Sequence, residues 1–221
     1  MSNKKVKTKE LFDCDVSYVK ELFEGAEYPW EMLPKIKGYI EKLMENMPEG
    51  FVEISKGVWV GENAKIYPTA TIEAPAIIGS GTEIRPGAFI RGSVITGENC
   101  VIGNSSELKN CVLLNKVQVP HYNYVGDSIL GNFSHMGAGS ICSNLKSDGK
   151  AVVIRGEENY ETGLHKIGAI LGDRVDIGCG CVLNPGTVIG KATSVYPLNA
   201  LRGVFPEGCI VKSMDNIVKR I

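Results

Sequence analysis

Three histidines and seven cysteines are the side chains with the chemistry for proton transfer, thiol reactivity or metal binding. Histidine ordinarily titrates at about 6.5, so His121, His135 and His165 are candidate bases or ligands at neutral pH. The cysteines (Cys14, Cys100, Cys111, Cys142, Cys179, Cys181 and Cys209) are odd in number and scattered, which argues against a disulfide framework. Cys179 and Cys181 form C-x-C with no second pair at zinc-ribbon spacing. Small buried thiols are the simpler reading, and no metal is expected. His121 and His135 lack the close pairing of a three-imidazole zinc site, and His165 falls among polar turn residues.

These residues sit in a chain of 221 with 43% hydrophobic, 22% charged and only 7% aromatic positions. Its net charge is −1, so neither a basic nucleic-acid footprint nor an acidic tail is indicated. No apolar run is long enough to span a membrane, and MSNKKVKTKE leads into no apolar stretch of the secretory kind. The expected location is the cytoplasm. Glycine is abundant, at 26 residues, alongside many Val and Ile. That combination points to a core filled by many small β-branched side chains.

A repeat positions them. From Val60 an aliphatic recurs every sixth residue: Ile66, Ile72, Ile78, Ile84, Ile90, then Thr96, Ile102, Leu108 and Leu114. Four residues after each stands a small one, in the series Ala64, Ala70, Ala76, Thr82, Ala88, Val94, Cys100, Ser106 and Val112. A second block repeats the pattern from Leu171 to Leu201, with companions running from Val175 through Cys181 to Phe205. A six-residue period fits neither a helix nor an ordinary surface strand. It fits a triangular coil of three short faces, each taking one hexapeptide, with the aliphatic and the small residue pointing inward. Parallel strands then stack about 4.8 Å apart along an aliphatic ladder. Roughly seven coils are expected over residues 58–206.

Residues 1–57 read as a helical cap over the first open coil, which would otherwise leave an unpaired edge. Asp15 suits the cap of a helix from Val16 to Glu24 that Gly25 ends. Pro34 suits the first turn of a second helix, with Ile36, Ile40, Leu43, Met44 and Met47 as its apolar stripe and Pro48 and Gly50 as its close. Residues 143–166 lose the hexad around a short AVVI strand and read as a loop or hairpin projecting from the prism. The tail, 207–221, reads as a strand and short helix closing the other end.

The repeat pattern resembles the hexapeptide-repeat acyltransferases, whose fold is an all-β solenoid, a left-handed parallel β-helix. The main departure from the repeat, PHYNYVGDS followed by GAGSICSN, is more specific. It resembles the acetyltransferase domain of the bifunctional enzyme that acetylates and then uridylylates glucosamine 1-phosphate. It is also similar to the C-terminal domains of sugar-1-phosphate nucleotidylyltransferases. The resemblance covers residues 58–206. Such relatives carry in front a nucleotidylyltransferase domain opening with G-x-G-x-R. That loop does not occur here, and 50 residues are too few for such a domain, so nucleotidylyl transfer is not expected of this chain.

What the resemblance implies is an acetyl-CoA-dependent N-acetyltransferase acting on an amino-sugar 1-phosphate, working as a homotrimer with sites between neighbours. His121 matches the general base that takes a proton from the amino group. Asn144 matches an asparagine at the amino-sugar and acetyl groups, where an amide can donate to a developing oxyanion. Glu107 matches a glutamate near the base that could orient it, a job for which Asp127 is the other candidate. Tyr124 matches a substrate-contacting tyrosine. Arg85, Lys109 and Lys150 match the phosphate-binding cations, a planar fork and two point charges. His135 replaces a family asparagine on the substrate side. On the coenzyme side stand Ala138, Cys179 in place of a serine, and Pro197 in place of an alanine. The competing class is a non-catalytic oligomerisation or sugar-phosphate-binding module, favoured by the coenzyme-side replacements. A γ-class carbonic anhydrase lacks support from the histidine spacing.

Overall fold

Each hexapeptide contributes a strand of two or three residues and then turns the chain onto a new face. Ala76–Ile78, Glu83–Ile84 and Phe89–Ile90 make one such circuit. The computed structural model describes residues 5–14 and 16–220. The first face stacks in parallel from Val58–Gly61 to Val204–Phe205, the second from Lys65–Ile66 to Cys209–Ser213, and the third from Thr71–Ile72 to Ala200–Leu201. The result is a parallel β-solenoid. Its ladder is dry: Ile78, Leu130, Leu171 and Ile189 on the first face are all fully buried. Cys100 and Cys181 fill small inward positions as expected, and burial pushes the Cys100 and Cys142 thiols up to about 12, so both stay protonated and inert. Among the described residues no helix is long and apolar enough to cross a membrane.

The stack is taller than the seven coils expected, at about nine turns, with nine strands on the second face alone. The extra height comes from strands outside the hexad. Phe51–Ser55 pairs antiparallel beneath Val58–Gly61, and Asn216–Lys219 pairs antiparallel beyond Cys209–Ser213. The tail is therefore a hairpin, not a strand and helix.

The inward register also slips where the expectation ran straight on. Cys111, not Val112, pairs with Val94, and Leu113, not Leu114, pairs with Thr96. Val112 and Leu114 point outward instead. The cause is a tightened corner. Strands Glu107–Leu113 and Tyr124–Leu130 run through it with a single left-handed residue each, Asn110 (φ 46°) and Asp127 (φ 47°). Asn and Asp are the non-glycine types that accept this conformation most readily. Phe205 likewise takes a large inward position opposite Ile189, where a small companion was expected.

The helical part of the N-terminal segment does not sit over the first coil, whose edge is covered instead by the strand Phe51–Ser55. It lies along the first face, whose outward residues Ile77, Ile95, Val112, Ile129, Ile170 and Val188 form one buried cluster with Leu11, Val19, Phe23 and Ile36. An apolar outer face cannot be left in water, and covering it outweighs covering a coil end. A 3-10 turn at Ser17–Val19 leads into the helix Lys20–Glu24, which ends at Gly25; Asp15 lies outside the described residues. Helix Ile36–Met44 follows the turn carrying Pro34 and buries Ile36 and Ile40. A short helix, Thr8–Leu11, went unforeseen.

Polar bonds pin the segment down. The buried Tyr18 hydroxyl donates to the Thr96 carbonyl at 2.7 Å, and burial lifts its phenol far above the ordinary tyrosine range. The Asp13 backbone N–H donates to the Asp173 carboxylate at 2.7 Å, and Asn132 Nδ2 donates to the Asp13 carbonyl at 2.6 Å. Lys191 bonds the Asp13 carboxylate at 2.8 Å and holds that carboxyl below its usual range.

Residues 143–166 contain the expected hairpin, Val153–Arg155 with Asn159–Glu161, but it folds back instead of projecting. Val152 and Ile154 are buried in the first-face cluster, and the Tyr160 ring lies 5.5 Å from Tyr28 and 5.7 Å from Trp30. The bend at 145–150, the hairpin turn at 157–159 and the exit at His165 and Lys166 stay largely in solvent.

Two outcomes follow from this packing. Ala76→Phe forces a ring into a fully buried small position and is expected to destabilise by about 1–3 kcal/mol, read as a lower Tm; unchanged melting would refute the inward register. Trp30→Ala is expected to cost about 3–5 kcal/mol and to speed amide exchange in the Val153–Glu161 hairpin. Unaltered exchange there would mean the hairpin stands without the N-terminal segment.

Candidate active site

The corner between the second and third faces gathers four of the expected residues. Register places His121 beside Asn104 on one side and Ala138 on the other, then Cys179 and Pro197 on the following coils. The backbone confirms the stacking, with Gly139 N–H donating to the His121 carbonyl, Gly180 to Ala138 and Leu198 to Cys179. After each of these, one left-handed residue turns the chain: Tyr122, Gly139, Gly180 and Leu198. The column is exposed along its length. The expected base and the three coenzyme-side positions thus form one outward edge, with neighbours about 4.8 Å apart.

The His121 backbone is fixed while its ring faces solvent. Its N–H donates to Asn123 Oδ1 at 2.9 Å, and the buried Asn123 amide donates onward to the carbonyls of Gly137 at 2.8 Å and Ser140 at 3.1 Å. Asn123 therefore ties the histidine's corner to the next coil. Sequence reasoning missed it, although a signal existed: it occupies a small inward position of the hexad, where an amide has no reason to be unless its bonds are satisfied.

Glu107, Lys109 and Tyr124 stand together on the third face. Glu107 pairs with Tyr124 and Lys109 with Gly126 on adjacent strands. The Glu107 carboxylate accepts from Arg91 Nη1 at 2.7 Å and makes no bond to His121. Burial, then the charges of Asp127 and Glu107, raise the Tyr124 phenol, which keeps its proton and can donate.

Asn144 lies at the far corner of that face, and its partners alter its expected role. The buried Asp127 carboxylate accepts from Asn110 Nδ2 at 2.8 Å and from Asn144 Nδ2. Asn144 Nδ2 also donates to the Tyr124 hydroxyl at 3.2 Å. An ionised carboxylate only accepts, so Asp127 demands both amide donors. The Asn144 N–H groups are spent inside the protein, and the expected oxyanion donation from them is not available in this arrangement. Its side-chain oxygen is left to meet a ligand. Asp127 itself serves this corner and does not orient His121.

The remaining residues are dispersed. Arg85 lies on the second face beside the His121 corner and bonds Glu83 at 3.1 Å. His135, on the same face, holds Asp176 through Nδ1 at 2.9 Å. Lys150 sits on the exposed bend, its backbone N–H given to the Asp148 carboxylate at 3.0 Å. Cavities of about 650 and 780 Å³ lie elsewhere, against the N-terminal segment, and are not lined by His121. Around the His121 corner the prism is convex. Among the described residues no group of three or more His, Cys, Asp or Glu could hold a metal ion.

Several known proteins are similar to this chain. The family model of the GMPPB C-terminal domain matches residues 72–189. The bifunctional protein GlmU of Methanococcus aeolicus is 35% identical over 177 residues, which span 71% of this chain and 43% of that protein. GlmU of Methanococcus vannielii is 31% identical over 228 aligned positions, 96% of this chain and 53% of its own. The bifunctional sugar-1-phosphate nucleotidylyltransferase/acetyltransferase of Sulfurisphaera tokodaii is 33% identical over 182 residues, 76% of this chain and 43% of its own. Among solved structures, the N-acyltransferase AntD of Bacillus cereus aligns at 19% identity and a TM-score of 0.42, over 82% of this chain and 88% of that one. The chain spans about half the length of the curated relatives it matches. Matched by the family model over more than half its length, the chain belongs to the GMPPB C-terminal domain family, as a hexapeptide-repeat domain of the GlmU-like kind.

Proposed function

We propose that the protein is an acetyl-CoA-dependent N-acetyltransferase acting on an amino-sugar 1-phosphate, wound left-handed like other hexapeptide acyltransferases and working in the cytoplasm. One observation carries the reading: an exposed imidazole, His121, on a rigid corner, in one column with Ala138, Cys179 and Pro197 and bordering a face that bears Glu107, Lys109 and Tyr124. The relatives named bifunctional nucleotidylyltransferase/acetyltransferase support it. In this reading the thioester lies along the column. The neutral amine attacks the thioester carbonyl, and His121 takes a proton from the nitrogen as the C–N bond forms. The C–S bond then breaks, and the imidazolium returns its proton to the departing thiolate. Lys109 and Arg85 hold the sugar phosphate, with Lys150 from the bend of an adjoining copy as a third cation and His135 on the substrate side. Tyr124 donates its hydroxyl and Asn144 offers its side-chain oxygen to the amine. The Cys179 thiol is a weak donor, so stabilising the oxyanion falls to backbone N–H groups of the coenzyme side.

A convex corner gives no enclosure, and Asn144 is across a face from His121. We infer that the protein works as a homotrimer, in which the His121 corner of one copy meets the third face of the next. Sedimentation is expected to give three copies per particle; a stable monomer at micromolar concentration would sink the shared site.

His121→Ala is expected to lower kcat by about 10²–10⁴-fold, the usual effect of losing a general base. Lys109→Ala is expected chiefly to raise KM, as loss of an interaction shared by ground and transition states does. His135→Ala, whose ring is held by Asp176, should spare kcat. Thiol release from acetyl-CoA with amino-sugar 1-phosphates reads all of these. Full activity in His121→Ala would refute the assignment. The engaged Asn144 amide and the thiol at 179 favour a second reading, a non-catalytic sugar-phosphate-binding module. Sugar-phosphate binding by wild type without any thiol release would establish it.

A further inference from the structure

We propose that the upper end of the third face carries a separate site for a phosphate ester, built around Arg202 and Lys146. The outward column of that face runs from Lys109 through Gly126, Ser143 and Asn184 to Arg202, by strand register and by the backbone bonds of Ser143 to Leu183 and Asn184 to Leu201. Two cations thus close a floor of small or neutral side chains. They stand four strands apart, about 19 Å at the usual spacing. One phosphate group cannot bridge that distance, so Arg202 would meet a phosphate other than the one held at Lys109.

The bend that leaves the solenoid after Ser143 walls the Arg202 end. Ser143, Lys146, Ser147, Asn184 and Arg202 line a cavity of about 320 Å³, together with Asp148. The one carboxylate there is already engaged. Asp148 accepts from the Lys150 N–H at 3.0 Å and lies 3.3 Å from Lys146 Nζ, and these contacts hold its carboxyl below the ordinary range. Lys146 is partly sheltered, with 20% of its side chain exposed, and bonds the Ala151 carbonyl at 3.3 Å. Its ammonium is therefore aimed by the bend and not free to wander. Arg202 has no ion-pair partner among the described residues. A planar fork of donors with nothing to receive them, beside a positioned ammonium and two serine hydroxyls, suits a tetrahedral oxyanion. The site stands on this cavity and not on the acetyl-transfer reading.

The probe is inorganic pyrophosphate, titrated calorimetrically into the whole protein. Wild type is expected to bind it, Arg202→Ala and Lys146→Ala at least tenfold more weakly, and Arg202→Lys, which keeps the charge and loses the fork, in between. Arg202 is exposed, so its variants should melt with wild type, and Tm is checked alongside. Absence of binding by wild type, or binding by Arg202→Ala and Lys146→Ala as tight as that of wild type, overturns the proposal. Competition identifies the source: displacement by coenzyme A assigns the site to an acyl donor's nucleotide, and displacement by UDP-glucosamine assigns it to a nucleotide-linked acceptor. Displacement by neither overturns a substrate role. Pyrophosphate binding that depends on Arg202 in a protein showing no acetyl transfer would remove the enzymatic reading and leave this site standing.

Discussion

Everything in this protein hangs on the requirement that each short strand stack directly on its equivalent one coil away. Parallel pairing along the axis leaves each coil room for one large aliphatic per face and one small residue near each corner. Fully buried residues such as Ile84, Ile102, Leu108 and Leu183 meet that requirement, and Cys100 and Thr187 meet it at the small positions. The same stacking makes columns of whatever points outward. His121, Ala138, Cys179 and Pro197 are close because their coils are stacked, even though 76 residue positions separate the first from the last. A rigid edge is obtained without a loop to position it.

The fold was legible because its signal is inward and periodic. Ile66 to Ile90 could be read at six-residue steps, since no helix or flat sheet needs that spacing. The failures come where a single residue is removed at a corner. Asn110 and Asp127 let a strand bend in one left-handed step, so the next inward residue arrives one place early. Polar Asn and Asp look alike whether they serve a two-residue corner or a one-residue corner. The position of the N-terminal segment was missed for a different reason. Ile77-Ile78, Val112-Leu113, Ile129-Leu130, Ile170-Leu171 and Val188-Ile189 are adjacent apolar pairs on the first face with both members buried, whereas pairs on the other faces, such as Val101-Ile102 and Val182-Leu183, leave their first member partly exposed. The second member of each fills the core, and the first announces a face that must be covered.

Residue types and spacing could nominate candidates for the site, but could not give their bonding. His121 lies on one corner and Glu107, Lys109 and Tyr124 on the third face, while Arg85 stands on the second face and Lys150 on the bend. Hydrogen-bond direction was not readable from residue type. An asparagine amide can donate or accept, and which it does here is decided by Asp127, a buried carboxylate that takes the donors of both Asn110 and Asn144. Glu107 is similar: its match to a family position says nothing of Arg91, which holds its carboxylate.

The reversed strands at the two ends have a bearing on how the molecule behaves in a crowd. A parallel stack is in principle endless, since the top of one copy offers the edge that its own bottom would accept. Here the reversed strands occupy different faces, Phe51–Ser55 on the first and Asn216–Lys219 on the second. A second copy placed on top by simple translation would set Phe51–Ser55 against Val204–Phe205, and Asn216–Lys219 against Lys65–Ile66, with chain directions opposed on both faces. Only the third face would continue in register, from Ala200–Leu201 to Thr71–Ile72. Parallel pairing therefore cannot be carried from one copy to the next on these two faces, and only the third face could extend the ladder without reversing chain direction.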